Sequence, residues 1–196
     1  MSGPSATVFS HAPTVPLCEG AGMASAQTLD LSDRRLSAAW AADCAERVLP
    51  LFERAVPEDA RPRDGIARTR AFARGEIEAS DMIRRRFETG RAASVVRDPA
   101  ARAAAFAAGQ ASGVAHMGAH ALGAAAYAVR AVGLGDPDSD ELGWQIAHMD
   151  AGVRSALRRL PLLGTDSSGP LGSGLLASGG LAVTIRALQA SILEAP

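Results

Sequence analysis

The stretch DPAARAAAFAAGQASGVAHMGAHALGAAAYAVRAV, Asp98 to Val132, decides the fold. Asp98 offers a carboxylate to the first helix amides and Pro99 arrives with φ already set, so a helix begins here. From Ala103 to Val129 there are twenty-seven residues without a formal charge, apolar on nearly every side, as in a helix surrounded by others. The length alone would cross a bilayer. The composition speaks against it: Ala and Gly dominate, Leu, Ile and Phe are nearly absent, and Gln110, Ser112, His116 and His120 interrupt the run. Glycines at 109, 113, 118 and 123 let neighbouring helices approach closely, each costing about 1 kcal/mol of helix propensity that packing must offset. The expectation is an all-α protein, a single helical bundle packed around one long central Ala/Gly-rich helix.

Outward from that helix, the apolar periodicity continues in both directions. Ser32 reads as an N-cap before Leu36, Trp40, Cys44, Val48, Leu51 and Phe52, with Pro50 kinking or interrupting that helix. Pro62 opens a short helix that stops near Gly75, and Ser80 and Asp81 open another with Ile83, Phe87, Gly90 and Ser94 on one face. After a turn at 136–139, Leu142, Ile146, Met149, Val153, Leu157 and Leu160 mark one further helix, with Trp144 and His148 on a second stripe. Three regions follow: a disordered Ser/Pro/Ala/Gly leader over 1–28, a helical bundle domain over 29–162, and a Gly/Ser-rich connector with a short C-terminal helix over 163–196. Met1 and Met23 are both candidate starts of translation.

Charge is balanced at a formal −1, so no global field favours nucleic acid, lipid or an acidic substrate. The distribution is uneven: Arg61 to Arg102 holds eleven Arg against six acids, and the residues before it hold four Arg against eight acids. All twenty basic residues are Arg, which excludes a Walker lysine, a Schiff-base lysine and a lysine general base. Cys18 and Cys44 make neither a disulfide framework nor a metal spacing, and no secretory signal is evident, so the expected location is the cytoplasm.

Candidate chemistry is sparse. His116 and His120 lie four apart and would share a helix face, a spacing suited to a divalent metal. Met117 stands where a zinc peptidase carries its Glu, so that motif is absent. A metal site would need His148 or Asp43 as well; the alternative is that each histidine is hydrogen-bonded inside the bundle and no cofactor is held. Gly109, Gly113, His116, His120, Gly123 and Tyr127 share one side, readable as a groove floor or as a packed seam, and the seam is favoured. Asp43 is expected to pair with Arg47 one turn away, and Cys44 to pack in the core. The Gly run from Gly169 to Gly180 follows no strand and reads as a connector. The run Arg84, Arg85 and Arg86 reads as a solvated helix face that, with Arg91 and Arg97, is able to meet phosphates or an acidic protein.

Four segments resemble a known family: AWAADCAERVLPLFE at 39–53, RPRDGIARTRAFARGE at 61–76, AAGQASGVAHMGAHALGAAAYA at 107–128, and Trp144 with Gln145. Together they resemble immunity proteins of bacterial polymorphic toxin systems, in a fifth-immunity-type-like family, over roughly residues 30 to 160. The resemblance implies a small all-helical cytoplasmic protein that binds and neutralises a cognate toxin, with Trp40, Tyr127, Trp144, Arg84 and Arg85 as candidate partner contacts. Two other classes stand beside it: a metal- or ligand-binding helical enzyme using the His pair, and an Arg-rich nucleic-acid-associated protein. Neither membrane nor nucleic acid is the expected partner, and the basic middle speaks against a nuclease as the toxin.

Overall fold

The computed structural model describes residues 25–136 and 138–194, leaving the Arg86 side chain aside. Cys18 and both candidate start codons lie outside the described residues, as does the expected leader up to residue 24. Among the described residues there are eight α-helices and no strand: α1 (Leu31–Ala55), α2 (Arg61–Ala73), α3 (Ala79–Gly90), α4 (Pro99–Gly113), α5 (His120–Gly135), α6 (Glu141–Ala147), α7 (Ala151–Arg158) and α8 (Gly179–Glu194). None is long and apolar enough to cross a membrane.

Helix starts follow local chemistry. Asp30, not Ser32, caps α1 by accepting from the Asp33 amide at 2.8 Å, while the Ser32 hydroxyl donates to the same carboxylate. Asp98 caps α4 through the Ala101 amide at 2.7 Å, with Pro99 as its first residue. Helix α1 runs unbroken through Pro50. The proline removes the donor that the Glu46 carbonyl would use, but both residues are exposed, where solvent can satisfy that carbonyl.

The single long central helix does not exist as such. The chain reverses between Gly113 and His120, and α4 and α5 pack against each other as an antiparallel hairpin. Its register is visible in the pairs that meet: Gly113 against the His120 ring, Gln110 against Gly123, and Phe106 against Tyr127. The residues between the helices are held from far away in sequence. The Gly118 and Ala119 amides donate to the Thr28 and Gln27 carbonyls at 3.0 Å each, and the Arg34 guanidinium donates to the Ala115 carbonyl. Leu29, in the left-handed region at φ 61°, lays its side chain over Gly118, where a Cβ would lie 2.5 Å from its Cδ1.

The expected helix from Leu142 to Leu160 is likewise two, α6 and α7. Asp150 caps α7 through the Val153 amide, and Arg154 reaches back to the Ile146 and Met149 carbonyls at the end of α6. On α3 the buried residues are Met82 and Thr89, while Phe87 is 60% exposed, so the face expected from Ile83 and Phe87 is rotated. The Gly-rich segment before α8 is tied down by Gln27, which is fully buried. Its amide nitrogen donates to the Ser168 carbonyl and the Asp166 carboxylate, and its oxygen accepts from the Leu171 amide. One apolar core runs from Ala38 on α1 to Ile192 on α8, much of it alanine.

Candidate functional site

Because α4 is lined with small residues, α3 comes down onto it. A Cβ on Gly109 would lie 2.8 Å from the Gly90 Cα, so the two backbones touch. That contact floors a cleft of about 600 Å³, a volume suited to a small ligand or to one or two partner side chains. Phe87 and Phe106 form its walls, and Arg91, Gln110, His116 and His120 supply its polar groups. Both histidines thus line one cleft, but not as neighbours on one helix: His116 sits in the α4–α5 turn and His120 opens α5.

The His120 ring packs on Gly113, where a Cβ would lie 2.9 Å from its Cγ. Its Nδ1 is 2.8 Å from Gln110 Oε1. The amide oxygen can only accept, so Nδ1 carries the proton and the ring is held in one tautomer. On its far side the Gln110 amide fills the space over Gly123. The stripe is therefore seam and groove at once: Gly113 and Gly123 close the hairpin, and the polar pair between them faces the cleft.

A second cleft of about 390 Å³ adjoins the first across Phe106. Arg97, Arg102 and Arg130 surround it, with Tyr127 at its back. Phe106 and Tyr127 pack with ring centroids 5.1 Å apart, and the Arg102 guanidinium lies 5.8 Å over Phe106. Burial pushes the Tyr127 hydroxyl above its ordinary pKa, opposed by the Arg130 charge, so it remains a neutral donor.

His148 and Asp43 lie elsewhere, around a shallow depression lined by α1, α2 and α6. There His148 stacks on the half-buried Trp144 at 3.9 Å, and the Arg47 guanidinium also lies 3.9 Å from that ring. The His148 Nδ1–H donates to the Trp144 carbonyl. Arg47 does not pair with Asp43. It donates to the buried Glu141 at 2.9 Å, and Asp43 takes Arg70 at 2.8 Å. The four residues weighed as a metal site are therefore split between two places. Among the described residues no group of three or more His, Cys, Asp or Glu is gathered to hold a metal ion.

Trp40 is 1% exposed and its indole N–H donates to the Gln145 carbonyl, a core position that offers no surface to a partner. Cys44 is fully buried, and burial raises its thiol pKa well above the ordinary value, so it packs as a neutral thiol. Arg84 pairs with Asp81, and Arg85 is exposed on the same shallow flank of α3. Reasoning from the sequence missed Gln110 as the holder of His120. It grouped Arg91 and Arg97 with Arg84 and Arg85, and it missed Arg102, Arg130 and Phe106, which α4 and α5 bring beside them.

The model of a family described as "Imm-5 like putative immunity protein" matches residues 27–152, a span containing the whole lining of the larger cleft. No curated protein and no solved structure matches the chain.

Proposed function

Since the chain belongs to the Imm-5-like family of immunity proteins, we propose that it binds and neutralises a cognate bacterial toxin in the cytoplasm, by occupying the toxin's surface and without chemistry of its own. The observation that carries this reading is the make-up of the larger cleft. Among the described residues its lining contains no carboxylate, hydroxyl or thiol, and the neutral Gln110 amide orients the His120 ring. Aromatic walls, an arginine and a rigid glycine floor are what a protein interface uses to seat an anchor side chain.

The test is co-expression with the toxin domain encoded beside the gene. Survival of the host and a complex that persists through gel filtration are the expected results. Absence of both for every neighbouring toxin would overturn the proposal. A second reading has one observation behind it, that His116 and His120 line the same cleft: a metal or small ligand held there. Elemental analysis after gentle purification decides the metal version, since stoichiometric transition metal would favour it over simple occupancy of a toxin.

A further inference from the structure

We propose that the partner docks along the strip joining the two clefts, and that its docking element is an acidic protein segment whose carboxylates meet Arg91, Arg97, Arg102 and Arg130 while an apolar side chain enters the larger cleft. This rests on the reading of the chain as a toxin-binding protein and adds the place and the chemistry of the contact.

All four arginines are exposed, and among the described residues none of them has an ion pair. Among the described residues neither cleft has an Asp or Glu in its lining. Asp98, next to Arg97, turns its carboxylate onto the Ala101 amide as a helix cap. Among the described residues, eight other arginines end on carboxylates: Arg47, Arg61, Arg63, Arg68, Arg70, Arg74, Arg84 and Arg159. Arg97, Arg102 and Arg130 around the smaller cleft and Arg91 in the larger are like charges that repel one another, and among the described residues no carboxylate in either lining offsets this. A partner bearing carboxylates removes the repulsion and gains charge-assisted, bidentate hydrogen bonds.

A protein segment fits better than a nucleic acid. The larger cleft is an open pocket of about 600 Å³ with apolar aromatic walls, sized for one or two side chains. The chain as a whole carries a formal −1, so it has no long-range field to draw in a polyanion.

The experiment compares two charge-matched double reversals in the full chain: Arg102→Glu with Arg130→Glu on the strip, and Arg54→Glu with Arg186→Glu at exposed positions away from it. Circular dichroism melts confirm that both fold as the parent does. Calorimetry with the toxin domain encoded beside the gene, at about 50 and 300 mM salt, is expected to show the parent weakening with salt. The strip variant loses about 100-fold in affinity and the control less than about threefold. A strip variant that binds as tightly as the control overturns the proposal while leaving toxin binding intact. If no neighbouring toxin binds, toxin binding itself fails, and a glutamate-rich decapeptide carrying one phenylalanine then tests the strip by NMR. Saturable shifts around Phe106 and Tyr127 that vanish in the strip variant uphold an acidic ligand. No shifts there, or tighter binding of a single-stranded RNA of equal charge, overturn it.

Discussion

On the face built by α1, α2 and α6, Arg47, Arg63, Arg70 and Arg74 each end on a carboxylate of the chain itself. Along the α4–α5 strip, Arg91, Arg97, Arg102 and Arg130 end on none among the described residues. The first face also holds the more conspicuous aromatic, Trp144, sandwiched into contacts with Arg47 and His148. Its hydrogen bonds and charges are already matched internally, so it has less to gain from a partner. The strip holds a quieter set of residues and an unmatched charge. A half-buried tryptophan is an obvious interface anchor, yet the difference in pairing points the other way. Internal pairing stabilises the fold, and unpaired charge beside a cleft is available for recognition.

The comparison is most easily broken at the floor of the strip. Gly109→Ala places a Cβ 2.8 Å from the Gly90 Cα, and neither backbone can yield without parting α3 from α4. The variant is expected to lose about 3 kcal/mol, measured by urea denaturation, the upper end of the usual cost of overpacking. A loss under about 1 kcal/mol would mean that the floor is soft and the cleft is not built by this contact. Trp144→Ala tests the other face. Removing a half-buried ring and its guanidinium contact is expected to cost about 2 kcal/mol of stability while leaving toxin affinity within about threefold. If affinity falls much further and stability does not, the interface belongs on the Trp144 face.

Within the strip, the Gln110 and His120 pair separates positioning from mere packing. His120→Ala leaves the partly buried Gln110 oxygen without this donor and opens space beside Gly113, an expected cost of about 1 to 2 kcal/mol. Adding Gln110→Leu removes the orphaned acceptor, so the double variant is expected to recover part of that loss in a denaturation cycle. Strict additivity would show that the hydrogen bond does not couple the two helices.

What the sequence made legible was whatever is decided within a few residues. Asp98 with Pro99 marked a helix start that needs nothing else, and the density of Ala and Gly correctly announced helices packed closely. The reversal at Gly113 was not legible, because the residues after it are satisfied by Gln27, Thr28 and Arg34, partners some eighty to ninety positions away that carry no mark of their role. The stripe from Gly109 to Tyr127 was read along one helix, whereas its members meet across two. His116 and His120 do line one cleft, for a reason the helical spacing did not supply. Of the arginine strip, Arg91 and Arg97 were legible as able to meet an acidic protein, in company with Arg84 and Arg85. Their company with Arg102 and Arg130 was hidden because the four are scattered over α4, α5 and the segment before α4. Only the hairpin makes them neighbours.

The smallest effect expected is on the acid stability of the paired side. The Arg61 guanidinium beside Asp59 holds its carboxyl below the usual carboxylate range, with the Arg61 amide adding to the effect. A carboxyl whose folded pKa lies below its unfolded value, about 3.9, contributes stability that is fully present above that value and is lost as pH falls through the folded one. Asp59→Asn should therefore lower stability slightly at neutral pH and flatten the decline of the melting temperature below about pH 4. Among the described residues the strip has no carboxylate in its lining, so Arg102→Glu offers the converse: it introduces a titrating acid among arginines and should steepen the same decline. If Asp59→Asn leaves the acid limb unchanged, the pair on that side contributes nothing measurable, and the contrast between the two faces rests on the unpaired arginines alone.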